Sequence, residues 1–310
     1  MAKRNWYDRV TAEFVQNVAN IYLQESGIPA FSIFPEVSSR KLTGKIAKYD
    51  KEDWFYIGNV ADYIRSGATE SAGDDYETSK QDYTCLQYSF HKDIPKEEAD
   101  EYDNPFAPTE DAMRFVINRL RRVITQKLVS TYLASGIWGT DIVGGTDFTK
   151  WSDTSSTPIA NVLSWKETIH KVTGFSPNRL VVSPDVHRNL RTNTNILAQM
   201  KTTANREVSK SLIASLFEVD DYVVIDTVNS GATDYMVSNR LLLMYTPSTP
   251  SKMEPSAGYT ILYRNKNLDA IETDRIELKT KNKALRVEGD VYAAPITLGT
   301  DLAVYGSTVV

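Results

Sequence analysis

One cysteine (Cys85) and three histidines (His91, His170, His187) are all that 310 residues offer of the side chains that most often bind metals or form disulfides. A lone cysteine excludes an internal disulfide, so stability has to come from packing or association. Three scattered histidines leave little material for a zinc-type centre. No apolar run approaches the ~20 residues that a membrane-spanning helix needs. The opening residues, MAKRNWYDRVTAEFVQ, lack the apolar stretch of a secretory signal, so the expected place of the protein is the cytoplasm, or something assembled there. Gly144-Gly145 lacks the trailing Lys-Ser/Thr of a phosphate loop, which argues against a nucleotide site. No internal repeat is evident. At a net charge of −5, with 41% hydrophobic and 24% charged residues, the composition is that of a globular chain with ample core, and not of a polyanion binder.

What the sequence does contain is one long helical pattern. From Glu110 to Ala134, apolar residues recur at Met113, Val116, Ile117, Leu120, Val123, Ile124, Leu128 and Tyr132. Thr109 offers a hydroxyl cap, Glu110 and Asp111 put negative charge at the positive end of the dipole, and Gly136 supplies a stop. The spacing predicts one straight helix of roughly 25 residues, about 37 Å long. Its other face carries Arg114, Arg119, Arg121, Arg122 and Lys127. Upstream, Asp50 to Asp103 holds fifteen Asp and Glu against five Lys and Arg, a local net of −10. Two compatible readings of the basic face follow. It meets phosphates without reading base sequence, or it pairs with the acidic stretch of its own or a neighbouring copy.

Around this helix the chain reads as follows. Tyr7 to Leu23 is a short amphipathic helix with Val10, Phe14, Val18, Ile21 and Tyr22 on one side, ended by Gly27-Ile28-Pro29. PAFSIFPEV follows as an extended aromatic strip that needs a covering surface. KLTGKIAKY, DWFYIGNVADYI and DYTCLQYSFHKDI alternate in strand fashion, and the last two, joined by the polar tip RSGATESAGDDYETSK, predict a projecting hairpin. Residues 136–157 are a Gly- and Thr-rich loop or loose strand pair. Ile159–Thr173 predicts a helix stopped by Gly174, RLVVS a buried strand, and Pro184 the first turn of another helix. Helices and strands then alternate to about residue 263. The tail has three to four strands, with Ile276/Leu278 and Leu285/Val287 inward, expected to form a sheet beside the long helix.

No residue set here predicts catalysis. Ser183 precedes His187 by four residues without a nucleophile-elbow pattern, and His187 reads as a helix-surface residue. Asp74-Asp75-Tyr76-Glu77 lacks the alternation of a calcium loop and reads as a solvated hairpin tip. Neither a metal nor a cofactor is expected.

In this order the parts resemble the major capsid proteins of tailed bacteriophages, the Hong Kong 97-type shell fold shared with encapsulins. DYTCLQYSFHKDIPKEEADEY is similar to the family's hairpin return strand leading into a helical turn before the spine helix. PNRLVVSPDVHRNL is similar to its strand–Pro–helix at the start of the axial domain, and GDVYAAPITLGTDLAVYG to its closing strands.

The resemblance implies an α+β fold with an N-terminal arm (1–36), an extended hairpin loop (37–104), a peripheral domain with the spine helix (105–176), an axial domain (177–258) and return strands of the peripheral domain (259–310). It implies a structural head protein, many copies of which form pentamers and hexamers of an icosahedral shell around double-stranded DNA, located in the virion and assembled in the host cytoplasm. Implied partners are further copies, portal and decoration proteins, packaged DNA contacted without sequence preference, and a scaffolding protein. Some members carry a long N-terminal scaffolding segment. Here the arm starts near Met1, so the scaffold is expected to be separate or the chain a mature form. The basic face (Arg114, Arg119, Arg121, Arg122, Lys127) is expected to face the genome or a neighbouring subunit. The hairpin tip (Arg65, Asp74, Asp75, Glu77, Lys80) is expected to cross onto an adjacent subunit, and the arm residues Phe31, Ile33 and Phe34 to be covered by a neighbour. The first alternative is an encapsulin-type compartment. The second is an α/β hydrolase-like enzyme centred on residues 159–247 with Ser183 and His187.

Overall fold

The computed structural model describes residues 33–49, 60–64, 78–95, 108–201, 208–228, 234–247, 249–250, 254–264, 272–278 and 284–310. In chain order its elements are β1 (Glu36–Ser39), β2 (Thr43–Tyr49), β3 (Thr78–Thr84), β4 (Leu86–Pro95), α1 (Pro108–Tyr132), β5 (Thr140–Val143) and α2 (Pro158–Thr173). They continue with β6 (Arg179–Val182), α3 (Pro184–Thr192), α4 (Thr194–Lys201), α5 (Lys210–Leu216), β7 (Asp221–Val224) and β8 (Arg240–Met244). The last four are β9 (Gly258–Tyr263), β10 (Glu272–Leu278), β11 (Ala284–Thr297) and β12 (Ala303–Ser307).

The long helix forms over Pro108–Tyr132, 25 residues with Glu110 and Asp111 in its first turn, so both ends lie earlier than the expected Glu110 and Ala134, and Thr109, expected as its cap, is inside it. Met113, Val116, Ile117, Leu120, Ile124 and Leu128 are buried against β4 and β11. Its far end is held by side chains from elsewhere in the fold. The Trp138 indole N–H donates to Tyr132 O (2.7 Å) and an Arg240 Nη1 donates to Leu133 O (2.6 Å). These donors satisfy carbonyls that a helix end leaves open. Gly136, at φ +83°, turns the chain, and its N–H donates to the Asp141 carboxylate.

The helix lies on the first of two five-stranded sheets. In it β1 runs parallel to β9, β9 pairs antiparallel with the end of β11, and the start of β11 is flanked by β4 and β10. Along β11, Val287, Val291 and Ala293 face the core under α1, while Tyr292, Ala294 and Ile296 face a smaller cluster with Cys85, Tyr259 and Ile261. The expected inward position of Val287 is met. Ile276 corrects the prediction: it pairs with Arg286, on the face turned away from α1, and is 40% exposed. A period of two fixes that residues alternate but not which set faces inward.

The second sheet has the order β5-β12-β8-β6-β7. Leu180, Val182, Leu241, Leu243 and Val304 point into one core, with Val186 and Leu190 of α3 and Val162 and Ile169 of α2. Val181, Leu242, Met244 and Tyr305 point the other way, into the core that α1 shares. The signals that place α2 and α3 are those read from sequence. Pro158 and Pro184 sit in the first turns, and Gly174 closes α2 at φ 74° with its N–H on His170 O. The tail does not all join the sheet beside the long helix. β12 pairs with β8 and β5, so residues 303–307, together with β5, complete the sheet of residues 179–244. The expected boundaries at 177 and 258 therefore do not coincide with the division between the sheets.

The predicted hairpin exists with a different first strand. β2 pairs antiparallel with β3, from Thr43↔Thr84 to Tyr49↔Thr78, and Val60–Tyr63 is a 3-10 turn. DYTCLQYSFHKDI divides at Cys85, after which β4 joins the first sheet. The hairpin is tied to the body at its base. Cys85 N–H donates to Leu42 O, the Ser39 and Tyr83 hydroxyls are 2.8 Å apart, and Ile46 and Tyr83 rest on the small third cluster.

Candidate functional site

The exposed half of α1 arises because a helix on one sheet buries a single stripe. Arg114, Arg119, Arg122 and Lys127 lie on that exposed half, and Arg121 is half-buried at its margin. The five basic residues do not share one face: Arg119 reaches over Phe90 of the first sheet and Arg121 turns towards the residues after β7. Two apolar residues lie among them. Phe115 is 53% exposed, and Val123, read from the sequence as a core position, is 42% exposed. Val123 matched the helical period, yet it is one residue short of Ile124, which takes the inward position. Phe115 carries no such expectation. The signal for it was the spacing of Phe115, Arg119 and Val123, four residues apart on one line of the helix.

Phe115 packs its ring 5.8 Å from that of Phe90 on β4, and the Arg119 guanidinium lies 6.0 Å from the same ring. The basic and aromatic groups thus share a fixed surface rather than waving in water. On the other margin, Asn118, Arg121, Arg122 and Thr125 form one wall of a cleft of about 240 Å³, closed by Asp226, Thr227 and Val228 after β7.

Lys80 is exposed on β3, opposite Ala47. The neighbouring cross-strand ion pair Lys45–Asp82 spans 3.6 Å between largely exposed side chains, a geometry of little net stabilisation. Arg65, Asp74, Asp75 and Glu77 lie outside the described residues, as does Phe31. Ile33 and Phe34 correct the expectation of a covering neighbour. Both are fully buried within the single chain, Phe34 edge-on to Tyr132 at 5.3 Å and 6.2 Å from Trp138. The chain's own helix end supplies the surface that the aromatic strip needed. Burial there also raises the Tyr132 phenol to about 12, and its hydroxyl donates to Pro295 O.

The residues of the hydrolase alternative do not meet. Ser183 is fully buried, and its hydroxyl accepts the Arg240 backbone N–H at 3.3 Å. His187 Nδ1 is 2.9 Å from the Tyr222 hydroxyl, and burial, with Lys210 and Arg191 adding to it, lowers its pKa. Among the described residues no three His, Cys, Asp or Glu side chains gather as a metal site would require. No described helix is long and apolar enough to cross a membrane.

No family model matches the sequence, and no curated protein does. Solved structures do. A phage-related protein from Bordetella bronchiseptica superposes at TM-score 0.72 with 18% identity, covering 96% of this chain and 97% of that one. A chain of Microbacterium phage Oxtober96 gives 0.58, 12% and 91% of each chain. The encapsulin of Synechococcus elongatus gives 0.57, 10%, 92% of this chain and 89% of that one. At such identities the likeness is one of fold, and the fold is the Hong Kong 97-type shell fold.

Proposed function

We propose that the chain is the major capsid protein of a tailed bacteriophage, a structural rather than catalytic protein whose copies form the pentamers and hexamers of an icosahedral shell around double-stranded DNA. The observation that carries this reading is the end-to-end likeness to shell proteins, with both chains covered almost completely in the phage-related match. The hairpin supports it. Two strands held at their base are marginal in water by themselves, and a neighbouring copy lying beneath them would stabilise them. Head-to-tail contacts of that kind close into rings, as capsomers do. In this reading the virion is the protein's location, and scaffolding, portal and decoration proteins are separate partners. The peripheral, axial and hairpin divisions follow the shell fold, with β5 and β12 assigned to the axial side. The hairpin-tip residues, Lys80 among them, contact an adjacent subunit, and Arg114, Arg119, Arg121, Arg122 and Lys127 face packaged DNA or a neighbour.

An encapsulin-type compartment is the second reading, because the encapsulin and the phage chain match equally well, at TM-scores of 0.57 and 0.58. Negative-stain microscopy of the purified protein, with an absorbance ratio for nucleic acid, tests both. Closed shells or capsomer rings are expected, and shells recovered from infected cells should contain DNA. Shells with protein cargo and no DNA would select the compartment. A monomer that stays monomeric with crowding agents would overturn both.

A further inference from the structure

Residues 144–157, between β5 and α2, carry no helix or strand, yet the chain pins them throughout. The Gly145 N–H donates to Phe148 O (2.8 Å), the Val143 N–H to the Asp147 carboxylate (2.7 Å) and the Trp151 N–H to Val309 O (2.8 Å). Asp153 accepts from both the N–H and the hydroxyl of Ser155, at 2.9 Å each, which holds its carboxyl below the usual range. A loop of this length that is held in one shape without elements of its own is where binding sites are often built.

The loop rests on an aromatic stack. Trp151 is fully buried, with Trp165 stacked on it at 6.0 Å and Phe217 at 6.3 Å. Phe148 stands edge-on to Trp165 at 5.1 Å and is only half-buried, so the stack holds its ring while part of it stays open. The Trp151 indole N–H has no acceptor among the described residues, where a buried indole ordinarily finds one. Phe148, Thr146, Asp147, Lys150, Ser152 and Asp153 line an open cavity of about 760 Å³, a size that suits a small ligand. Asp147 and Asp153 each commit one oxygen to the loop, and among the described residues the second oxygen of each accepts nothing.

This mixture of groups narrows the ligand. Two carboxylates against one lysine disfavour a phosphate or an acidic sugar. An apolar ligand would strip water from the carboxylates and hydroxyls and give them no partner. A sugar ring matches both halves of the cavity. Its C–H face suits the negative face of a phenyl ring, and its hydroxyls donate to carboxylates and accept from an ammonium group. We propose that the loop of residues 145–153 is a binding site for a neutral or amino sugar, with Phe148 as the platform and Asp147, Asp153 and Lys150 as the polar contacts.

The test is an array of oligosaccharides of glucose, galactose, N-acetylglucosamine, glucosamine and glucuronate, probed with the full chain, followed by calorimetric titration of the strongest binder. A neutral or amino sugar should be retained and the glucuronate oligomer should not. Phe148→Leu and Asp147→Asn, made separately, should each weaken that binding at least about tenfold, the loss of one stacking or charge-assisted contact. Asp147→Asn keeps an oxygen for the Val143 N–H, so the loop holds its shape and the test stands even where Phe148→Leu does not fold. No binding of any sugar up to ~10 mM would overturn the proposal. So would a preference for glucuronate, or parent-like binding by either variant when folded. The readouts require neither shells nor DNA, so failure here leaves the capsid reading standing, and failure of that reading leaves this one testable.

Discussion

The two sheets have five strands each and are stabilised differently. In the second, successive residues of β6 and β8 alternate between two cores, so both faces are covered and its strands are apolar on both sides. In the first, α1 covers one face of β4 and β11. The other face carries Gln87, Ser89, Asp93, Arg286 and Asp290, joined by side-chain hydrogen bonds. A sheet buried on both sides owes its stability to apolar area and holds up as part of a single chain. A sheet with one polar face and an exposed helix on the other has surface to offer to other molecules. The molecule separates a core apolar on both sides of its sheet from a sheet with one polar face.

The largest effect expected from this contrast is in the second sheet. Leu180→Ala, at a fully buried position, should lower the unfolding free energy by about 2–5 kcal/mol in urea titrations. A loss near zero would mean that the second core is not the stabilising one. The polar face of the first sheet should matter less. Asp93 accepts two hydrogen bonds from Arg286, which hold its carboxyl below the usual range, but both side chains are substantially exposed. Asp93→Asn should therefore cost less than about 1 kcal/mol at neutral pH. Its folded pKa is depressed. The contribution is thus present above the unfolded value of about 3.9 and lost as pH falls through the folded value, and the variant should converge with the parent in acid. A gap that persists in acid would assign the effect to packing. The smallest effect on the fold per side chain changed should come from Arg114, Arg119, Arg121 and Arg122 changed together to Gln. Substitutions away from the core usually stay within ±0.5 kcal/mol each, so stability should fall by no more than the sum of such small terms. DNA content or shell yield should drop clearly. Unchanged particles would remove these arginines from the assembly surface.

Much of this was legible in sequence where the information is local. The long helix, α2 with Gly174, and the Pro184 start of α3 follow from periodicity and caps that lie within a few residues of each other. The burial of Val287 and the exposure of Arg114, Arg119, Arg122 and Lys127 on α1 follow from the same periods. What was not legible depends on pairing between distant residues. Whether β3 takes residues 43–49 or 53–64 as its partner, and whether Ile276 faces in or out, is decided by register against strands far away in the chain. Val123 shows the limit on a helix: one position of rotation separates it from Ile124, and only the shape of the sheet beneath selects between them. The covering of Ile33 and Phe34 by Tyr132 and Trp138 joins residues about a hundred apart, beyond any local pattern. The roles proposed for the basic and hairpin residues concern other molecules, and one sequence holds no direct record of them.

The position of β12 has a consequence for how the protein is made. It lies between β5 and β8, pairing Val304 with both Thr140 and Leu243. During synthesis β5, β6, β7 and β8 all emerge before it, so β5 has no strand partner and β8 shows an open edge until residues 303–307 arrive. Contacts between segments so far apart close slowly, and an open edge is a template for wrong pairing. The strand that completes the sheet therefore acts as a late check on the product: a chain cut short before Ala303 leaves β5 without its partner strand, and only one that reaches Ser307 closes that edge before it meets its neighbours.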